Sequence, residues 1–218
     1  MCGLNSNYLI SFCGVHGAGK TTLEMLISEK YNLHIPTKSN LSPQRMIDYN
    51  GLFAYLDNYY FQVTKNTHNS LFCTSRFGLV DILIYAEALN KLDRISSIEK
   101  NDIIKKCVNY IEGYPFPKYL INLTCDFDIL WNRIEERDKE YQNNFVRDKK
   151  KVQEITDEYH ANFTCNIFSN KLLEEIISRY LLSDCLCVLD SSSKTPKELI
   201  DEIILWKNVF VDECELKK

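Results

Sequence analysis

The sequence predicts an α/β domain built on a five-stranded parallel sheet with helices on both faces. Three observations carry that expectation. Five short apolar, β-prone runs alternate with helix-suited stretches along 218 residues, the pattern of a parallel sheet covered on both sides. The first run passes through a glycine-rich turn straight into a helical stretch. Chemistry-bearing residues follow the ends of later runs, where open parallel sheets bind their ligands.

Taken in order, Tyr8-Leu9-Ile10-Ser11-Phe12-Cys13 is the first strand and residues 20–30 are its helix. Leu33-His34-Ile35-Pro36 is a short second strand, and Ser42-Pro43 is a plausible helix start. Residues 44–65 suit a helix rich in aromatics, Tyr49, Phe53, Tyr55, Tyr59, Tyr60 and Phe61 among them. Ser70 to Thr74 is the third strand. Phe77–Leu92 and Ser97–Ile111 carry apolar residues at helical spacing, and Gly113-Tyr114-Pro115 ends the second of these helices. Tyr119 to Leu123 is the fourth strand, followed by a charged helix from Asp126 to Tyr141 and a polar stretch over 142–165. A helix over 168–180 leads to the fifth strand, Cys185 to Leu189. Thr195-Pro196-Lys197-Glu198 then spells a capping box with proline at the first helical position, opening a last helix. The chain reads as a single domain over 1–218, with a helical lid at about 126–165.

Composition narrows the classes. A net charge of −4 argues against non-specific nucleic-acid binding as the main role. No run of 18 apolar residues is present, so no membrane span is expected. Met1 to Asn7 carries neither a basic segment nor a long apolar one, so no secretory signal is expected. Nine cysteines, an odd number, read as free buried thiols in a reducing cytosol. Cys185 and Cys187 have no second ligand pair at zinc spacing nearby.

The chemistry centres on Gly14-Val15-His16-Gly17-Ala18-Gly19-Lys20-Thr21, a G-x-x-x-x-G-K-T pattern that holds three of the chain's seven glycines. Glycines let consecutive backbone N–H groups turn inward around phosphate oxygens, and the helix that follows adds the positive end of its dipole. Lys20 would reach the β- and γ-phosphates, and the Thr21 hydroxyl would ligate Mg²⁺. Gly14, His16, Gly17, Ala18, Gly19, Lys20, Thr21 and Thr22 are the candidate nucleotide-binding residues. After the third strand, Arg76 is placed to grip a phosphate bidentately. Asp81 follows near a helix start, where it also suits the helix dipole. After the fourth strand, Arg133 and Arg137 stand at i, i+4 and share a helix face. They would neutralise charge on a transferring phosphoryl group, or belong to a solvated face of Glu–Arg pairs. Arg147 could join them from a mobile lid.

These motifs together resemble the P-loop nucleoside and nucleotide kinases of the thymidylate-kinase and deoxynucleoside-kinase group. The likeness rests on the P-loop, Ser75-Arg76 with Asp81, the Arg133-x-x-x-Arg137 pair, and the last strand followed by Asp190-Ser191-Ser192-Ser193. There is a further likeness to small kinases labelled AAA-type, whose third-strand motif D-R-S-x-x-D-x-x-x-Y shares the Asp81 to Tyr85 spacing. The resemblance implies a three-layer P-loop NTPase fold with strand order 2-3-1-4-5. It implies Lys20, Arg76, Arg133 and Arg137 as catalytic residues, Thr21 on the metal, and Arg133 also on the nucleotide. Phe61, Gln62, Arg76 and Asp81 would contact the acceptor, and residues 191–195 would lie near the adenine.

Two departures bear on the acceptor. Ser75 stands where relatives carry Asp or Glu, and Pro36-Thr37-Lys38-Ser39 stands where many carry a carboxylate. Either Asp81 or Asp48 supplies the base, or the acceptor is already a phosphate and needs little base help, or transfer is weak. Lys38 and Arg45 would suit an anionic acceptor.

The resulting expectation is a cytosolic enzyme that uses ATP and Mg²⁺ to phosphorylate a nucleotide, such as a deoxynucleoside monophosphate, or a nucleoside. Its partners would be those small molecules, with a homodimer left open and neither a membrane nor a stable nucleic-acid partner. A regulatory switch ATPase without a small acceptor, and a degenerate nucleotide-binding module, are the alternatives.

Overall fold

The computed structural model describes residues 8–14, 17–35, 48–66, 72–74, 78–111, 117–126, 128–130, 132–133, 136 and 186–206. Among these, β1 (Tyr8–Gly14) forms the middle of a parallel sheet with β2 (Phe72–Thr74) on one side and β3 (Tyr119–Thr124) on the other. β4 (Leu186–Asp190) pairs with β3 and completes the order β2-β1-β3-β4.

Four strands are described rather than the expected five. Of the expected second strand, residues 33–36, the described residues 33–35 hold one bridge, at His34, its carbonyl accepting from the Cys73 N–H at 3.0 Å. The reason is local. Asn32 sits in the left-handed region at φ 51°, and the sequence places Pro36, which has no N–H to extend a ladder, four residues later. The remaining order, expected strands 3-1-4-5, is the one observed. The helix expected at 168–180 lies outside the described residues.

Period-two alternation sends successive strand residues to opposite faces. Ile10 and Phe12 of β1, Ile121 and Leu123 of β3, and Cys187 and Leu189 of β4 belong to one buried core. That core is closed by α1 (Lys20–Tyr31) through Leu23 and Ile27, and by α5 (Pro196–Leu205) through Leu199, Ile200 and Ile203. On the other face, Cys13 and Leu120 join a core formed by α2 (Tyr49–Asn66), α3 (Gly78–Lys91) and α4 (Ser97–Ile111). Leu52, Tyr55 and Leu56 of α2 are buried there, so much of the aromatic helix is core. Truncating Phe12, fully buried at the sheet centre, to alanine would cost about 3–5 kcal/mol.

α2, α4 and α5 begin where side chains satisfy their first N–H groups. Asp48 caps α2, its Oδ1 accepting from the Gly51 N–H at 2.7 Å. Ser96 and Glu99 form a reciprocal capping box at α4. Thr195 and Glu198 form the expected one at α5, with proline at its first turn. The α2–α4 seam is polar: the Tyr110 hydroxyl donates to Asp57 Oδ1 at 2.6 Å, and Lys106 pairs with the same carboxylate. The bond to Asp57 pushes the Tyr110 hydroxyl up to about 12.

Cys13, Cys73, Cys107, Cys125 and Cys187, the five described cysteines, are buried thiols outside any disulfide. Among the described residues no helix is long and apolar enough to cross a membrane.

Candidate functional site

β1 ends in a loop that only glycine can build. Gly14, Gly17 and Gly19 have φ of 127°, 82° and 96°, in the region that other L-residues avoid. At Gly14 a Cβ would meet the Leu123 carbonyl oxygen at 2.2 Å, so the loop begins pressed against β3. Gly19 is the N-cap of α1. No side chain caps this helix, and its first turn holds no acidic residue. The helix therefore presents backbone N–H donors and a positive dipole end that no acidic residue of its first turn offsets, a fit for an anion.

Lys20 opens α1 and folds back over the loop, its Nζ donating to the Gly14 carbonyl at 2.7 Å. Ala18 and Lys20 are buried, while Thr21 and Thr22 are exposed. An exposed hydroxyl at Thr21 suits Mg²⁺, which keeps most of its waters and takes few protein ligands beside substrate phosphates. Among the described residues no group of three or more His, Cys, Asp or Glu is placed to hold a metal ion. Glu24, one turn along α1, is also buried. Burial first, and Glu24 second, push the neighbouring Cys73 thiol up to about 12.

A second cluster lies on the α2–α4 face of the sheet, near the strand ends, and the sequence reading did not single it out. Ser11 Oγ and Thr74 Oγ1 are 2.8 Å apart across β1 and β2. The Tyr59 hydroxyl lies 3.4 Å from Thr74 Oγ1, and Cys13 Sγ donates to Asn122 Oδ1 at 3.4 Å. The available signal was Ser11 and Asn122 standing as polar residues inside apolar runs. Tyr59 of α2 reaches the strand ends through its contact with Thr74, and Phe61, two residues on, is 60% exposed.

The third cluster ties the exits of β3 and β4 together. Ser191, buried, donates its N–H and its hydroxyl to the Thr124 carbonyl, each at 2.9 Å. Arg133 Nη2 donates to the Ser191 carbonyl at 2.7 Å, and Nη1 reaches Ser191 Oγ at 3.4 Å and Cys125 Sγ at 3.5 Å. Ser192 Oγ accepts from the Asp126 N–H at 2.8 Å and donates to Asp190 Oδ1 at 2.5 Å. The Ser192 hydroxyl and N–H, with Lys194 and Arg133 nearby, hold the Asp190 carboxyl below its usual range.

The structure thus assembles Gly14, Gly17, Ala18, Gly19, Lys20, Thr21 and Thr22 at the end of β1, and Arg133 at the ends of β3 and β4. His16, Arg76, Arg137 and Arg147 lie outside the described residues, as do Ser75, Lys38 and Arg45. So does most of the expected lid. Gln62 and Asp81 stand in α2 and α3, with side chains outside the described set.

With this geometry in place, comparison with known proteins is informative. A family model described as an AAA domain matches residues 10–159. A comparison with curated proteins finds no match. Among solved structures, the chain is similar to deoxyadenosine kinase from M. mycoides with bound dATP, at TM-score 0.68 and 19% identity, covering 91% of this chain and 98% of that one. It is also similar to thymidylate kinase from Candida albicans, at TM-score 0.54 and 14% identity, covering 94% of this chain and 93% of that one. A third similar structure, the NadR protein in complex with NR, has TM-score 0.56 and 10% identity over 92% of this chain and 51% of that one. The fold is that of the P-loop nucleoside and nucleotide kinases.

Proposed function

The chain belongs to the AAA-domain family, and from that premise we propose an ATP-dependent phosphotransferase that moves the γ-phosphoryl group to a nucleotide, such as a deoxynucleoside monophosphate, or to a nucleoside. The observation that carries this reading is the uncapped start of α1 behind three left-handed glycines, with Lys20 held across the loop. The fold shared with a deoxyadenosine kinase and a thymidylate kinase supports a nucleoside or nucleotide acceptor.

In this reading the backbone N–H groups of the loop and of the first turn of α1 hold the β- and γ-phosphate oxygens. Lys20 turns from the Gly14 carbonyl toward those oxygens and stays near its present place, so little reorganisation is needed. Thr21 would hold Mg²⁺, which when bound supplies positive charge to the β- and γ-phosphates. Arg76, two residues after β2 in the sequence, grips the acceptor or transferred phosphate. Arg137 neutralises charge from the lid. Phe61, Gln62 and Asp81 are the proposed acceptor contacts. Catalysis is positioning and charge neutralisation. Asp48 is engaged as the cap of α2, which with Ser75 and Lys38 favours an acceptor that is already anionic.

The test is ATP consumption with Mg²⁺ against a panel of nucleosides and their monophosphates. Stimulation by one acceptor is expected, with a monophosphate turned over faster than its nucleoside. Lys20→Ala is expected to abolish turnover. Slow hydrolysis that no acceptor stimulates would replace the kinase with a regulatory ATPase, and full activity in Lys20→Ala would remove the site.

A further inference from the structure

Three hydroxyls from three elements meet on the α2–α4 face of the sheet. Ser11 of β1 and Thr74 of β2 are register partners, with their side-chain oxygens 2.8 Å apart. The Tyr59 hydroxyl of α2 lies 3.4 Å from the same Thr74 oxygen. Ser11 stands between Ile10 and Phe12, and both it and Thr74 are buried. A buried hydroxyl costs free energy unless it is bonded, and an apolar pair of the same shape would serve stability about as well. What the hydroxyls add is direction: a hydrogen bond fixes a distance and an angle, and a satisfied polar network selects one arrangement of a core.

The arrangement it selects is that of α2 against β1. β1 runs from Ser11 to Gly14, where the phosphate loop begins. α2 carries the proposed acceptor contacts Phe61 and Gln62, two and three residues beyond Tyr59. Leu52 and Leu56 hold α2 on the sheet by apolar packing. On its other side the helix is bonded to α4, through Tyr49 to Asp102 and through Asp57 to Lys106 and Tyr110. Thr74 therefore stands between the paired helices and the strand of the phosphate loop.

The two links differ. The Ser11–Thr74 contact has the length of an ordinary hydroxyl bond, whereas the Tyr59–Thr74 contact is longer than the usual range. The slack is on the helix side, where α2 settling onto a bound acceptor would take it up.

Resting on the phosphotransfer reading above, we infer that Thr74 is a positioning residue: its hydroxyl, bonded to Ser11 and met by Tyr59, sets α2 against β1 and so sets the acceptor's distance from the phosphate loop.

Three variants of the full chain separate this from a structural pair. Thr74→Val keeps the shape and removes the hydroxyl, Thr74→Ser keeps the hydroxyl, and Tyr59→Phe cuts the helix link alone. Acceptor-stimulated ATP turnover would be measured with the most active nucleoside or monophosphate of the panel, giving kcat and both KM values, with urea unfolding beside it. Misplacing reacting atoms by about 1 Å costs on the order of a hundredfold, so Thr74→Val is expected to lose about ten- to hundredfold in kcat, with KM for ATP changed by less than about threefold. Thr74→Ser is expected to restore most of the loss. Tyr59→Phe is expected to slow kcat in the same way, and it serves if the valine variant does not fold. The double variant Tyr59→Phe, Thr74→Val should be no slower than Thr74→Val, because both changes cut one chain. A loss of stability with kcat unchanged would overturn the inference and leave the kinase reading standing. So would a serine variant as slow as the valine one, or losses that multiply in the double variant. Wild-type hydrolysis that no acceptor stimulates would overturn the phosphotransfer reading and the inference with it.

Discussion

Gly14 and Gly19 share a left-handed backbone but differ in their surroundings. A Cβ at Gly14 would strike the Leu123 carbonyl at 2.2 Å, whereas one at Gly19 meets nothing within 4 Å. Gly14→Ala is expected to destabilise by roughly 2–5 kcal/mol, from backbone strain and a backbone clash together. Gly19→Ala is expected to cost about 1–2 kcal/mol, from the left-handed conformation alone. Urea unfolding of the two variants measures the difference, and equal losses would mean that β3 shifts to accept the new methyl group. The phosphate loop was legible at this scale because its information is local: eight consecutive residues specify it. Arg133 was singled out in the sequence, but its partner was not, because Ser191 lies 58 positions further on and no local pattern joins them. Tyr59 reaches the strand ends, yet the sequence offered it only as one aromatic among several on this helix. A helix with an aromatic at almost every turn does not say which of them faces the sheet.

At the scale of elements, α5 shows what a short motif can establish. Thr195 Oγ1 accepts from the Glu198 N–H and Glu198 returns the bond to the Thr195 N–H at 2.7 Å. Thr195→Ala is expected to cost about 1 kcal/mol by thermal or urea unfolding. The Thr195 N–H, then its hydroxyl, lower the pKa of Glu198. A lowered folded value means that the contribution is present above the ordinary glutamate pKa and is lost as pH falls through the folded one. The deficit of Glu198→Gln relative to wild type should therefore be full at pH 7 and shrink on acidification below the ordinary glutamate range. A deficit independent of pH would mean that the charge is not what the cap uses. The same S-x-x-E signal at Ser96 and Glu99 was present in the sequence and went unread, although the helix behind it was placed over Ser97–Ile111. The expected second strand failed for the opposite reason. Its apolar run was real, but Asn32 and Pro36 left too little backbone free to pair.

At the scale of the whole molecule, alternation of short apolar runs and helices made the layered α/β architecture legible, since both faces of each strand had to be buried. The strand order was not legible from spacing, because which parallel strands become neighbours depends on crossovers that leave no local mark. The division of the helices, α1 and α5 on one face and α2, α3 and α4 on the other, follows from that order. So does the line of strand exits along which the phosphate loop, the Thr74 cluster and the Ser191 cluster are arrayed.

The buried thiols give this architecture an internal clock. Cys73 in β2 and Cys107 in α4 belong to different cores, and burial pushes both thiols up to about 12. The thiolate is the form that alkylating agents attack, so near neutral pH each cysteine is silent until its own region opens. Pulse alkylation read peptide by peptide would therefore time those openings without any added label. If the three layers open as one cooperative unit, Cys73 and Cys107 will be modified at the same rate and accelerate together in urea. A Cys107 that reacts well ahead of Cys73 would show instead that the α2–α4 layer lifts from the sheet while β2 stays folded.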